Sequence, residues 1–135
     1  MEDITTVAVS GYFDPLHVGH IEYFEMARGL GDMLIVIINN DKQAALKKGE
    51  SFMGEEDRLT IVSSLRCVDK VFLSIDEDKH VCRSLAYLRP NIFANGGDRI
   101  NAEIPEAKVC KDLGIMLVDG LGEKIRSSSE YTGLK

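Results

Sequence analysis

The run Gly11-Tyr12-Phe13-Asp14-Pro15-Leu16-His17-Val18-Gly19-His20 joins an apolar, β-branched segment to an amphipathic one, so it lies where a first strand hands over to a first helix. Exposed N–H groups at a helix start attract anions, and glycine lets the backbone approach a ligand closely. The junction is therefore a natural place to hold phosphate. Two imidazoles, His17 and His20, accompany its glycines.

At a spacing of three, both rings can point to one side of the helix entrance, with Gly19 leaving room between them. Beside a phosphate they would donate hydrogen bonds to its oxygens or stabilise charge that develops during phosphoryl transfer. The same two residues also read as a structural pair, or as metal ligands that lack a specified third. The turn is neither a dinucleotide-binding fingerprint nor a P-loop lysine motif, which argues against hydride transfer and ordinary kinase chemistry. Phe13 can fill the space beneath the turn. Asp14 reads equally as a cap for backbone donors, a partner for a distant base, or a ligand contact.

Outward from this junction, residues 4–9 form the expected first strand, and the helix is expected to start near Val18 with Val18, Ile21, Phe24, Ala27 and Leu30 on its apolar stripe. Gly29 or Gly31 would supply a left-handed cap. Met33-Leu34-Ile35-Val36-Ile37-Ile38 has no alternation, as expected of a parallel strand covered on both faces. Asn39, Asn40 and Asp41 follow at its C-terminal end, where open α/β sheets place ligands.

A short lysine-rich helix over residues 42–48 then leads to a loop at Gly49. A helix over 55–65 uses Leu59, Val62 and Leu65, widened by Ile61, and a strand spans 71–75. Acidic Asp76, Glu77 and Asp78 would cap a helix containing Val81, Leu85 and Leu88, which Pro90 ends. A fourth strand starts at Ile92 and leads to Asn95-Gly96-Gly97-Asp98-Arg99. A helix over 106–113 stops at Gly114, and a fifth strand covers 115–118. Strands alternating with helices predict one α/β domain over 1–135, with a mainly parallel five-stranded sheet, helices on both faces and right-handed crossovers. Strand order is not visible at this level.

The 135 residues, 44% of them hydrophobic, suit one compact core. A net charge of -6, from 16 Lys plus Arg against 22 Asp plus Glu, is the wrong sign for a general nucleic-acid surface. No run is apolar enough to span a membrane, and the acidic start Met1-Glu2-Asp3 does not resemble a secretory leader, so a soluble cytoplasmic protein is expected. Cys67, Cys82 and Cys110 are odd in number and lack a CxxC pair. They read as ordinary, mostly buried thiols.

The 11–20 run, together with Leu46-Lys47-Lys48-Gly49, Glu56-Asp57-Arg58, Gly96-Gly97-Asp98-Arg99 and Ile125-Arg126-Ser127-Ser128-Ser129, resembles the nucleotidyltransferase family that includes glycerol-3-phosphate cytidylyltransferases and heptose-phosphate adenylyltransferases. The resemblance covers nearly the whole chain and implies a Rossmann-like nucleotidyltransferase fold. It also implies transfer of a nucleoside monophosphate from CTP or ATP to a phosphorylated small molecule, with magnesium on the triphosphate and pyrophosphate leaving. The expected reaction is transfer of CMP to glycerol 3-phosphate; the alternatives are adenylyl transfer to a sugar phosphate such as heptose 1-phosphate, and a nonenzymatic nucleotide sensor.

By the same resemblance, His17, His20 and Lys48 are catalytic, with Lys47 competing for the lysine's role. Gly11, Tyr12, Phe13, Asp14, Gly19, Gly96, Asp98, Arg126, Ser127 and Ser128 bind nucleotide, and Asp41 and Arg99 are candidates for the acceptor. Arg58 either ties the lysine-bearing loop to the sheet or touches substrate, and no residue is assigned to metal. Members of the resembled family commonly form dimers, so a homodimer is expected, with no nucleic-acid or membrane partner.

Overall fold

The computed structural model describes residues 4–49, 51–96 and 105–121. In chain order they form β1 (Thr6–Gly11), α1 (Val18–Arg28), β2 (Met33–Ile38), α2 (Asp41–Lys48), α3 (Glu55–Ser63), β3 (Lys70–Leu73), α4 (Cys82–Leu88), β4 (Ile92–Gly96), α5 (Pro105–Leu113) and β5 (Met116–Leu121). The strands make one sheet in the order β3-β2-β1-β4-β5, and every pairing is parallel.

Alternation along the central strands explains why both faces are apolar. Val7, Val9, Leu34, Val36 and Ile38 pack with Phe24 and Ala27 of α1 and Val62 of α3. Ala8, Ile37 and Phe93 face the other way, against Leu85 of α4 and Cys110 of α5. A strand sandwiched between helix layers has no polar side to show, which is why β2 reads as an unbroken apolar run.

Several element details differ from the expectation. The first strand begins at Thr6 because Ile4 is 57% exposed, and it runs on to Gly11 in register with Ile38. On α1, Phe24 and Ala27 are buried but Val18 is exposed, and Leu30, also exposed, lies beyond the helix end at Arg28. A strict spacing of three falls 60° short of a full turn at every step, so the start of the series leaves the buried face. Ile61 is likewise exposed and does not widen the face of α3.

Neither Gly29 nor Gly31 is left-handed: Gly29 has φ -70°, and the chain leaves the helix through a tightened turn in which Leu30 N–H donates to Ala27. Gly31 is required for another reason, since a Cβ there would lie 2.8 Å from the Thr5 carbonyl oxygen. Of the acidic run, Asp76 caps α4 from a distance by accepting from the Arg83 and Ser84 amides, at 2.8 and 2.9 Å, while Val81 holds the N-cap position. Gly114, at φ 74°, follows α5 as expected.

All three cysteines are free thiols, but only Cys110 is fully buried. Burial, with the nearby Glu106 carboxylate, pushes the Cys82 thiol up to about 12 and Cys110 to about 11, so neither is a reactive thiolate near neutral pH. No helix among the described residues is long and apolar enough to cross a membrane.

The order β3-β2-β1-β4-β5 reverses direction between β1 and β4. In open α/β sheets the crevice outside the strand ends at such a reversal is where ligands bind. Here the two strands also part. β1 pairs with β2 over six residues but with β4 only at Val7 and Ala8. Beyond that point the Ala94 carbonyl accepts instead from the Tyr23 hydroxyl of α1, at 2.5 Å. Gly11 and Gly96, at the tips of the parting strands, border the crevice.

Candidate functional site

The turn leaving β1 is built on Phe13. Its ring is buried against Phe24 and against the edge of the His20 ring, with centroids 5.1 and 4.9 Å away. It also lies under Gly11, where a Cβ would come within 2.7 Å of Phe13 Cζ. Phe13 has φ 53°, a left-handed conformation uncommon for a bulky residue, which the surrounding packing holds in place. The sequence signals the buried ring but not this backbone state.

His17 and His20 are brought together as expected, with ring centroids 3.8 Å apart and planes at 26°. His17 is the N-cap of α1. Its Nδ1 accepts from Gly19 N–H, and Nδ1 of His20 accepts from His17 N–H, both at 3.1 Å. The anion-attracting amides of Gly19 and of His17 are thus already taken by the imidazoles. A neutral imidazole that accepts at Nδ1 must carry its proton on Nε2. Both rings therefore present an Nε2–H donor, polarised by the amide bond at the other nitrogen. The helix start still favours anions, but through two side-chain donors rather than bare backbone.

Burial, and then the neighbouring His17, lower the His20 pKa to about 4. His20 is therefore a neutral hydrogen-bond donor at physiological pH, with its tautomer fixed by the cap.

Asp14 is used as a backbone cap. Its two carboxylate oxygens accept from the Phe52 and Met53 amides at 2.7 and 2.6 Å, which fastens the loop between α2 and α3 to the first turn. Arg58 is completely buried and takes the structural of its two readings. It donates to the carbonyls of Met53, Tyr12 and Asn39 at 3.0, 2.9 and 2.6 Å, and to the Asp41 carboxylate at 2.8 Å. Asp41 is the counter-ion of Arg58, and it also accepts from the Ser51 hydroxyl. The need for a counter-ion could have been anticipated, since a buried guanidinium requires one, but the burial of Arg58 is not visible in its local sequence.

On α2, the Nζ of Lys47 lies 4.7 Å from the centre of the Tyr12 ring. Of the adjacent lysines, this is the one whose position at the turn is established. The side chain of Lys48 and residues Asp98, Arg99, Arg126, Ser127 and Ser128 lie outside the described residues. Among the described residues, no cluster of three or more His, Cys, Asp or Glu could hold a metal ion.

A stacked imidazole pair with Nε2–H donors, a lysine and a glycine-tipped strand end make a site for a polyanion. A family model described as cytidylyltransferase-like matches residues 8–128, which spans the site and all of the sheet except Thr6 and Val7. The chain belongs to that family. An FAD synthase from Picrophilus torridus is 34% identical over 128 residues, covering 92% of this chain and 91% of that protein. The bifunctional protein HldE of Streptomyces coelicolor is 40% identical over 112 residues, covering 82% of this chain. The chain spans only 24% of that HldE's length. A crystal structure of a lipopolysaccharide core biosynthesis protein from Thermoplasma volcanium superposes with TM-score 0.74 at 27% identity, covering 87% of this chain and 96% of that one. The cytidylyltransferase-like fold expected from the sequence is thus the fold observed.

Proposed function

We propose that the protein transfers AMP from ATP to a phosphorylated small molecule, best a sugar phosphate. The observation that carries the chemistry is the pair of neutral, Nε2-protonated imidazoles held at the switch point of the sheet. The preference for ATP and a sugar phosphate over the expected CTP and glycerol 3-phosphate is supported by the several HldE relatives. FAD synthesis is a second reading, supported by a relative that matches along nearly its full length. FAD is AMP joined to a flavin monophosphate by a phosphoanhydride bond between their two phosphates, so the bond made would be of the same kind.

In the proposed reaction, an acceptor phosphate oxygen forms a bond to the α-phosphorus of ATP. The bond from that phosphorus to the bridging oxygen breaks, and pyrophosphate leaves with the electron pair. Negative charge moves onto the phosphate oxygens during the transfer, where His17 and His20 donate from Nε2 and Lys47 adds countercharge. No protein nucleophile is needed.

Magnesium would reduce the charge of the triphosphate. Asp14 and Asp41 are already bonded to backbone amides and to Arg58, so these carboxylates do not make a ready ligand set. The phosphates themselves are the natural ligands for a hard cation.

A crossed assay of ATP and CTP against sugar 1-phosphates, glycerol 3-phosphate and FMN tests the proposal by pyrophosphate release. Release with ATP and a sugar phosphate is expected. Release with CTP and glycerol 3-phosphate alone would restore the reading from sequence, and nucleotide binding without release across the panel would favour a sensor. His17→Ala is expected to lower turnover about 10²–10³-fold, as for other preorganised donors.

A further inference from the structure

We propose that Tyr12 is a positioning residue whose aromatic face holds the Lys47 ammonium at the phosphate site. The inference rests on the nucleotidyl-transfer reading and adds to it a residue that acts through another.

Lys47 is exposed on the last turn of a short helix, and a lysine in that setting samples many rotamers. At 4.7 Å from the Tyr12 ring centre, its ammonium is within the range of a cation–π attraction. Such an attraction involves one face of the ammonium. The remaining N–H donors can still reach an anion.

The backbone that carries the ring is held in place. The Tyr12 carbonyl accepts from Arg58, the Gly11 carbonyl accepts from Asn39 N–H at 2.9 Å, and the next residue, Phe13, is buried beneath His20. Arg58 also holds Asp41, the first residue of α2, so platform and lysine-bearing helix hang on one buried guanidinium. The aromatic face thus holds a mobile cation over the turn that leads to the two imidazoles before any nucleotide arrives.

The test compares Tyr12→Phe, which keeps the ring, with Tyr12→Leu, which removes it, by steady-state pyrophosphate release. Tyr12→Leu is expected to lower kcat/KM for nucleotide by about two- to fivefold, the range set by exposed cation–π attractions, and Tyr12→Phe to retain the wild-type value. In a Lys47→Met background, Tyr12→Leu should cause no further loss. Equal losses in the Phe and Leu variants, or an undiminished loss in the Lys47→Met background, would overturn the proposal.

A second measurement does not need turnover. The ε-methylene protons of Lys47 should resonate upfield in the wild-type protein through the ring current, and return to the ordinary lysine position in Tyr12→Leu. An unshifted Lys47 in the wild type would refute the platform even in an active enzyme. A shifted Lys47 in a protein without turnover would instead count against the reaction and leave the platform standing.

Discussion

At His20, one side chain meets a structural and a chemical demand. Its Nδ1 closes the capping box, which depends on the ring staying neutral, and its Nε2–H is left to donate to a ligand. Because its folded pKa is lowered to about 4, the unfolded chain takes up the proton first as pH falls from about 6.5. The stability tied to neutral His20 is therefore complete above about 6.5 and is lost progressively down to about 4. In urea unfolding, the stability difference between wild type and His20→Ala should shrink between pH 7 and pH 4.5; a constant difference would refute the assignment. Gly11 makes the complementary case for space. Gly11→Ala drives a Cβ into the Phe13 ring, which is wedged against His20. Strain of about 1–3 kcal/mol is expected in urea unfolding. The accompanying shift of the imidazole should lower kcat by roughly 100-fold.

At the scale of elements, the loops at the C-terminal ends of β1 and β2 are joined to each other through Arg58. Arg58→Met removes the donor to three carbonyls and leaves Asp41 unpaired, so a loss of about 3–5 kcal/mol in chemical unfolding is expected. Arg58→Lys should rescue little of it, because an ammonium cannot reproduce the planar fork. Much of this level was legible in the sequence. The unbroken β2 run and the alternation of strands with helices specified a covered parallel sheet, and the spacing of the histidines placed both rings on one side. What the sequence did not reveal depends on tertiary neighbours. Asp76 caps a helix that starts six residues later only because the chain folds back, and Asp41 is a counter-ion only because Arg58 is buried. Nor does the local sequence show that the Tyr12 ring, from another loop, lies beneath the Lys47 ammonium.

For the molecule as a whole, strand order was the missing quantity, since pairing across the sheet leaves no trace in local periodicity. It decides where the site lies: the parting of β1 from β4 places residues 11–20 and the tip of β4 on one crevice. Saturating ATP should slow amide exchange at both outlets, in residues 11–20 and 92–96, and raise stability by about 2.7 kcal/mol at a hundredfold excess over Kd. Protection confined to one outlet would argue against a crevice-bound nucleotide. The short seam between β1 and β4 has a mechanical consequence. With a six-residue ladder to β2 on one side and a two-residue ladder to β4 on the other, the sheet resembles a book glued along only part of its spine. Each cover is stiff, and bending concentrates at the unglued end. A guest gripping both covers there would brace the fold where it yields most easily.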